Sequence, residues 1–270
     1  MRIEFDRVTP ARTSEFEGVG IHSGAASSVK VRPGAEGIAF TRSGERFSAT
    51  PDSVTDTTRS TTLGTVRMVE HLMSAFAALG VTDAEVEVDG DEMPILDGGS
   101  ATYLGGLKAT GFTSIGRKSA LSLFGRVNLQ EGDCRIGISV GTGRWRYEYD
   151  REGPFPGPQV FETRIDEETY AAEVAPARTF AYEDELEWLR KAGLGKGGTE
   201  QNTLVIGKDG YLTKHLFSDE APRHKLLDCM GDLALAGVPL RFLNVVAERT
   251  GHKMNIAAAA RLVEICEWET

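Results

Sequence analysis

Residues 223–232 read RHKLLDCMGD and place one histidine and two aspartates at intervals of four residues. On an α-helix this spacing puts His224 and Asp228 on one stripe, with Asp232 one turn further along. Gly231 leaves room beside that stripe. The apolar residues on the opposite side are Leu226, Leu227, Met230 and Leu233. The stretch therefore predicts a helix that carries half of a metal site.

A second segment, residues 70–79, supplies the other half of such a site. It opens with Glu70 and His71, and its apolar residues follow the i, i+3, i+4, i+7 spacing of a half-buried helix. Catalytic zinc takes three nitrogen or carboxylate ligands and leaves one position open for water. His71, His224 and Asp228 would complete that set, and Glu70 would be the base that activates the water. From spacing alone, a hydrogen-bonded surface pair of His224 and Asp228 is the commoner arrangement, and this alternative stays open.

The length of 270 residues suits one large or two medium domains, since domains cluster around about 100 to 150 residues. No stretch approaches the roughly 18 uninterrupted apolar residues of a membrane span. The N-terminus carries Arg2, Glu4, Asp6 and Arg7 and lacks the apolar core of a signal peptide. We therefore expect a cytoplasmic protein without a transmembrane segment.

The cysteines and the net charge argue against several classes of protein. Cys134, Cys229 and Cys266 are odd in number and have no short paired spacing, which disfavours both a disulfide framework and a thiolate zinc site. Against 40 acidic residues stand 30 basic ones, and the net charge is −10. Because nucleic-acid binding needs a basic surface, we expect no nucleic-acid partner.

The two halves of the chain show a similar order of strands and helices. The strand-like segments are residues 28–32, 37–42 and 84–90 in the first half and 134–140, 144–149 and 241–246 in the second. The segments 134–140 and 144–149 resemble paired strands around a glycine-containing turn. A last helix is predicted from about Ile256 to Glu264, with Asn255 as its N-cap.

Strands covered by helices on one face indicate an α+β fold, here with two similar two-layer domains. Glycine, threonine and serine residues interrupt both patterns in the connection between the halves. We therefore predict a first domain over residues 1–112 and a second over residues 119–270. His71 would lie in the first domain, and His224 and Asp228 in the second. A seam between domains is a common position for a ligand cleft.

One stretch, residues 179–215, breaks the repeat. It contains a helical segment from Tyr182 to Ala192 with Gly193 as its C-cap, followed by a strand-like segment from Thr203 to Ile206. The pattern predicts a β-α-β insertion in the second domain. Ordinary packing of an amphipathic helix explains its apolar residues, and periodicity alone favours that reading over a ligand channel.

Six short segments occur along the chain in an order that is specific to one family of enzymes. They are residues 18–24 (GVGIHSG), 69–75 (VEHLMSA), 94–100 (PILDGGS), 177–180 (ARTF), the run at 223–232, and 250–252 (TGH). Over nearly its whole length the chain resembles the UDP-3-O-acyl-N-acetylglucosamine deacetylases, the zinc hydrolases that commit lipid A synthesis. The resemblance implies two domains with their helical layers face to face and a zinc site at the seam. It assigns zinc to His71, His224 and Asp228 and the general-base role to Glu70.

The resemblance also implies the remaining catalytic roles. Thr179 corresponds to the hydroxyl that helps to hold the oxyanion. His252 corresponds to the histidine that supplies positive charge and a proton to the leaving amine. Asp232 is the expected partner of His252, because an aspartate hydrogen-bonded to imidazole raises the pKa of the histidine.

Substrate contacts follow from the same resemblance. Lys225 corresponds to a lysine that contacts the nucleotide diphosphate, a role that suits a flexible point charge. The insertion corresponds to a hydrophobic passage for the acyl chain, and Phe180 either lines its entrance or packs in the core. The candidate lining residues, chosen by periodicity, are Leu186, Leu189, Leu194 and Val205. Phe124 and Gly125 stand where we expect a further lysine for the diphosphate.

We therefore predict a zinc-dependent amide hydrolase that removes acetate from the 2-amino group of UDP-3-O-acyl-N-acetylglucosamine. Its partner is the acylated UDP-sugar, and we expect a monomer that associates at most transiently with a membrane surface. Two alternatives stay open: a zinc deacetylase of another N-acylated sugar or lipid, and a non-catalytic zinc-bearing binding protein. The second is disfavoured because Glu70, Thr179 and His252 would have no reason to accompany the metal ligands.

Overall fold

The structure, a computed structural model, describes residues 3–121, 125–151, 153 and 155–268. Its α-helices are α1 (Glu70–Leu79), α2 (Ala101–Thr110), α3 (Glu167–Thr169), α4 (Glu183–Lys191), α5 (Glu220–Ala234) and α6 (His252–Ile265). Short 3₁₀ helices occupy Pro51–Ser53 and Leu240–Phe242, and a π-helical turn occupies Tyr170–Val174. Within these described ranges, no helix has the length and apolar character needed to cross a membrane.

The strands of the first half are β1 (Ile3–Pro10), β2 (Ser14–Val19), β3 (Ala26–Pro33), β4 (Ile38–Arg42), β5 (Glu45–Ser48), β6 (Val54–Asp56), β7 (Thr62–Leu63), β8 (Val66–Arg67) and β9 (Ala84–Asp89). Those that follow are β10 (Phe112–Leu121), β11 (Arg126–Glu131), β12 (Cys134–Val140), β13 (Arg144–Tyr149), β14 (Gln159–Arg164), β15 (Thr179–Tyr182), β16 (Thr203–Ile206), β17 (Leu243–Glu248) and β18 (Glu267–Trp268).

Two five-stranded sheets share one topology. The first has the order β2-β3-β9-β4-β5 and the second the order β11-β12-β17-β13-β14. In each sheet the central strand is antiparallel to its neighbour on one side and parallel to its neighbour on the other. Alternate residues of each sheet are buried, for example Val29 and Val31 on β3 and Ile136 and Ile138 on β12. The matching order confirms the α+β fold with two similar halves.

The central strand of the second sheet corrects one prediction. Segments 134–140 and 144–149 form β12 and β13, but the two strands do not pair with each other, because β17 lies between them. β17 also starts two residues later than predicted, after a 3₁₀ turn. Asn244 on β17 accepts hydrogen bonds from the backbone N–H groups of Thr142 and Arg144, each at 3.0 Å. The glycine-containing turn therefore wraps around the start of β17 instead of closing a hairpin.

Helix α6 begins earlier than the sequence pattern predicts. It starts at His252 with Gly251 as its N-cap, and not at Ile256 with Asn255 as the cap. The backbone N–H of Asn255 donates to the Gly251 carbonyl at 3.0 Å, so Asn255 lies within the first turn. Its side-chain amide donates to Asp232 at 2.9 Å, and this tertiary contact takes the place of the expected cap.

The segment 179–215 contains the predicted β-α-β unit. Strands β15 and β16 are parallel neighbours, and α4 connects them. Helix α4 lies within the predicted 182–192, with Ala192 as its C-cap. Gly193 follows with a φ of 73°, the left-handed conformation that commonly ends a helix.

The connection between the two halves is a strand. β10 pairs with β1 and with β18, so this three-stranded sheet draws together the two halves and the connection itself. The glycine-containing stretch that interrupts the sequence pattern thus forms regular structure through pairing with a distant segment. A division into domains at 1–112 and 119–270 stays a proposal.

The helical layers of the two halves meet where α1 packs against α5. Glycine permits the approach: a Cβ atom added at Gly231 would lie 2.0 Å from the carbonyl oxygen of Glu70. The room that Gly231 leaves beside the polar stripe of α5 is therefore filled by the backbone of α1. This close contact places the first turn of α1 opposite the stripe.

Gly231→Ala should destabilise the protein by about 3 kcal/mol, because the new methyl group would overlap the backbone of α1. Urea unfolding measures the effect. Gly105 provides a matched control, since it is an exposed glycine inside α2 and an added Cβ atom would meet nothing within 4 Å. Gly105→Ala should stabilise by roughly 0.5 to 1 kcal/mol through helix propensity. Equal unfolding midpoints for the two variants would contradict the close approach.

Candidate active site

The three side chains predicted to bind a metal converge between α1 and α5. One ligand atom from each of His71, His224 and Asp228 lies within 4.8 Å of the others. The Nε2 atoms of His224 and His71 lie 3.3 Å and 3.9 Å from Asp228 Oδ1. Each of the three residues is only 3 % exposed. The structure thus brings one donor from α1 and two from successive turns of α5 into one buried cluster.

Backbone carbonyls orient both imidazole rings. His71 Nδ1 lies 2.8 Å from the Gly99 carbonyl oxygen, and His224 Nδ1 lies 3.0 Å from that of Ala177. A carbonyl oxygen only accepts hydrogen bonds, so Nδ1 is the donor in both rings and Nε2 is the nitrogen that faces Asp228. Outer contacts of this kind are typical of histidines that bind metals.

The electrostatics of the cluster favour cation binding. Burial lowers the pKa of His224 to about 4, so this ring is neutral at pH 7. Burial alone would raise the pKa of Asp228, but the neighbouring His224 and Lys225 hold that pKa below its usual value. Lys225 Nζ donates to Asp228 Oδ2 at 2.9 Å, while its contact with a diphosphate stays a prediction. Two imidazoles and one carboxylate are a donor set that fits a divalent metal such as zinc.

Glu70 lies beside these donors at the start of α1. Its Oε2 accepts a hydrogen bond from the backbone N–H of Thr61 at 3.0 Å, and its Oε1 lies 4.0 Å from His252 Nε2. Burial raises the pKa of Glu70 to about 8, against the opposing charge of His252. A base with a pKa near neutrality is well suited to accept and release a proton. Glu70, Asp228 and His252 also form a second group of ligand atoms within 4.8 Å. Glu70 is therefore placed either to act as a base or to bind a metal, and the Glu70→Gln variant discussed below distinguishes these roles.

His252, the first residue of α6, is held by Asp232. Its Nδ1 lies 2.9 Å from Asp232 Oδ2, and the Thr61 hydroxyl donates to Asp232 Oδ1 at 2.5 Å. Burial lowers the pKa of His252, but the carboxylates of Asp232, Glu70 and Asp228 together outweigh burial, and the pKa rises to about 9. The ring is therefore charged at neutral pH, and its Nε2 lies 4.0 Å from Asp228 Oδ2.

The segment with Thr179 and Phe180 borders the cluster. Thr179 follows closely after Ala177, whose carbonyl holds the His224 ring, and its own backbone N–H donates to Gly98 at 2.7 Å. The ring centre of Phe180 lies 6.0 Å from that of His224, in an edge-on arrangement. Both residues are partly exposed. The oxyanion role of Thr179 and the entrance role of Phe180 stay predictions.

The candidate lining residues of the insertion have different environments. Leu189 on α4 is buried, whereas Leu186, Leu194 and Val205 are partly exposed. A role in binding an acyl chain stays a prediction for all four. Phe124, where we expect a lysine, lies outside the described residues.

Several polar groups of the site carry no usable signal in the sequence. Thr61 donates to two carboxylates of the site, yet it lies in a run of serine and threonine without any diagnostic spacing. The two carbonyls that hold the imidazole rings are invisible to motif reasoning, since every residue offers a carbonyl. Asn255 is the exception, because it lies three residues after His252 and that helical spacing predicts a shared neighbour.

The chain matches known proteins over almost its full length. A family model described as UDP-3-O-acyl N-acetylglycosamine deacetylase (LpxC) covers residues 7–264. Proteins named UDP-3-O-acyl-N-acetylglucosamine deacetylase from Brucella melitensis, Brucella ovis and Brucella abortus are each 36 % identical to the chain, with 94 % of both sequences covered. The match includes both halves and the whole buried cluster. The chain therefore belongs to the LpxC family of UDP-3-O-acyl N-acetylglycosamine deacetylases.

Proposed function

We propose that this protein is a zinc-dependent deacetylase of lipid A biosynthesis. It would hydrolyse the 2-acetamido group of UDP-3-O-acyl-N-acetylglucosamine to acetate and the free amine. The observation that supports this most is the buried meeting of His71, His224 and Asp228 beside Glu70, in a chain of the deacetylase family. The acylated UDP-sugar as substrate follows from the names of the relatives.

The donor set supports zinc as the metal. His71, His224 and Asp228 would hold the ion, and no cysteine lies among these donors. When bound, zinc would supply a Lewis acid for the acetyl carbonyl and would lower the pKa of the attacking water.

The side chains around the cluster divide the proton transfers. Glu70 takes a proton from the attacking water, while the Thr61 N–H holds its other oxygen. His252 carries a proton at neutral pH and gives it to the departing amine. The Thr179 hydroxyl donates to the oxyanion that develops on the acetyl carbonyl. Burial of Glu70 and His252 strengthens each of these interactions by excluding water.

The basic limb of the pH–rate profile should report His252. Its pKa is raised to about 9, so the proton is present at neutral pH, is lost as the pH rises through that value, and the rate falls with it. Asp232→Asn removes the carboxylate that contributes most to the raised pKa and should move the limb to lower pH by about one unit or more. Rates measured between about pH 6 and about pH 10 check this. An unchanged basic limb in His252→Gln would remove His252 from the mechanism.

Binding should depend steeply on the length of the 3-O-acyl chain. Each buried methylene contributes about 0.8 kcal/mol, so four further carbons should improve binding on the order of 100-fold. Dissociation constants for a series of shortened substrates measure the slope. Single polar substitutions at Leu186, Leu189, Leu194 and Val205 should flatten it without loss of zinc. A wild-type affinity that is indifferent to acyl length would favour another N-acyl sugar as substrate.

Acetate release tests the function directly. Purified zinc-loaded protein and the acylated UDP-sugar should yield acetate and free amine in equal amounts by mass spectrometry. If the protein binds this substrate without releasing acetate, the deacetylase proposal is wrong and a zinc-bearing binding protein becomes the better description.

A further inference from the structure

The polar stripe of α5 has a fourth member that the proposed mechanism does not use. Glu220, His224, Asp228 and Asp232 follow one another at intervals of four residues. Glu220 is the first residue of α5, where the helix dipole favours negative charge, and it is fully buried. Its partner is Arg178, which is only 4 % exposed.

Arg178 and Glu220 form a bidentate buried ion pair. Arg178 donates from Nε to Oε1 at 2.8 Å and from Nη2 to Oε2 at 3.2 Å, and its backbone N–H donates to Oε1 at 3.1 Å. A buried pair of this kind often adds no stability over apolar side chains of the same volume. The segments that the pair holds in place are therefore the more informative feature.

The remaining hydrogen bonds of the pair reach the insertion. Arg178 donates to the carbonyl oxygens of Glu200 at 2.9 Å and Lys214 at 2.6 Å. Glu220 Oε2 accepts a hydrogen bond from the backbone N–H of Leu216 at 2.7 Å. Glu200 precedes β16, while Lys214 and Leu216 follow it. The pair thus ties the segments before and after β16 to the start of α5.

The ion pair also lies next to His224, one of the two candidate histidine ligands. Ala177, which precedes Arg178 in the chain, holds the His224 ring through its carbonyl. His224 itself lies one helical turn after Glu220. The carbonyl that holds the ring therefore belongs to the residue next to Arg178, and the ring itself lies one helical turn from Glu220.

His71, the other candidate histidine ligand, is linked to the ion pair through Thr179, the residue that follows Arg178. The backbone N–H of Thr179 donates to the Gly98 carbonyl at 2.7 Å. The next carbonyl, that of Gly99, holds the His71 ring. A displacement of the segment around Arg178 would therefore reach both carbonyls that orient the imidazoles.

We propose that the Arg178–Glu220 ion pair fixes the positions of the two histidine ligands and of the insertion relative to each other. Metal affinity and recognition of the acyl chain then depend on the same buried pair. Its effect on the acyl chain rests on the proposed function, whereas its effect on the metal is measurable without substrate.

The double variant Arg178→Met/Glu220→Leu tests this. It replaces the pair by apolar side chains of similar volume, so the free energy of unfolding should fall mainly through the backbone groups that lose a hydrogen-bond partner, and not through an uncompensated buried charge. It also removes every side-chain hydrogen bond to Glu200, Lys214 and Leu216. We expect the dissociation constant for Zn²⁺, measured on metal-free protein by competition with a chelator, to rise about 10-fold or more, as for other outer contacts of metal ligands. The dependence of KM on acyl-chain length should flatten.

Two further variants complete the experiment. Arg7→Met/Asp83→Leu is the matched control. Arg7 and Asp83 also form an ion pair, in which the Asp83 carboxylate is buried, but this pair lies within the first half and away from His71, His224 and Asp228. It should leave the zinc dissociation constant unchanged. Arg178→Lys keeps the charge without the planar fork and should give a smaller rise.

An unchanged zinc dissociation constant in the folded double variant would overturn the positioning role. If the double variant does not fold, Arg178→Lys decides in its place, and wild-type affinity there has the same meaning. A wild-type protein that holds no zinc or releases no acetate contradicts the proposed function instead, so the two failures are distinguishable.

Discussion

Replacing His71 and His224 together by alanine should remove the metal and abolish turnover. Asp228 would then be the last of three donors, and one carboxylate cannot hold a catalytic zinc ion. Elemental analysis should find about one zinc per wild-type chain and less than about a tenth of that in the double variant. His224→Ala alone should also lose the metal, because it deletes one of the two candidate donors on α5.

The matched control for metal content is His215→Ala. His215 is exposed and its ring packs against Tyr211 at 4.7 Å, so its loss should leave the zinc content unchanged. Chelation of wild-type protein should reproduce the loss of turnover, and added zinc should restore it only in protein with both histidines. Equal zinc content in the wild type and in His71→Ala/His224→Ala would refute the assignment.

Glu70→Gln should lower turnover by roughly 100-fold or more while zinc stays bound, which is the scale of general-base catalysis. Glutamine keeps the shape of the side chain, and its carbonyl oxygen can still accept the hydrogen bond from Thr61. It cannot take a proton from water. Rates under saturating substrate and zinc content from the same preparation separate the two effects.

Glu92→Gln is the corresponding control. Glu92 is also a buried glutamate that accepts backbone hydrogen bonds, from His22 and Ser23, but it does not belong to the ligand cluster. Its replacement weakens those hydrogen bonds because they lose their charge assistance. Since Glu92 contacts none of the candidate metal donors, turnover should change only a few-fold. Loss of zinc together with activity in Glu70→Gln would make Glu70 a ligand, an arrangement that its proximity to Asp228 and His252 allows.

Strand and helix segments were accessible to sequence reasoning wherever local periodicity decides the structure. The segments 134–140, 144–149 and 203–206 coincide with β12, β13 and β16, and residues 70–79 coincide with α1. Pairing was not accessible: β17 separates β12 from β13, because the parallel neighbour of a strand comes from a distant part of the chain. The predicted start of α6 was wrong for a similar reason: the Asn255 side chain, expected to cap the helix, instead binds Asp232 on another helix.

The sequence by itself determined which side chains could share a face. Helical geometry is local, so the four-residue spacing of His224, Asp228 and Asp232 already requires one stripe, and the ordered motifs indicated the family. Only the tertiary structure decided that His71 faces that stripe and that carbonyls orient both imidazoles. It also decided the raised pKa values of Glu70 and His252, since these depend on burial and on charges from other helices. Such contacts join segments far apart in the chain, and the close approach of α1 and α5 at Gly231 brings Glu70 and His71 to the stripe of α5.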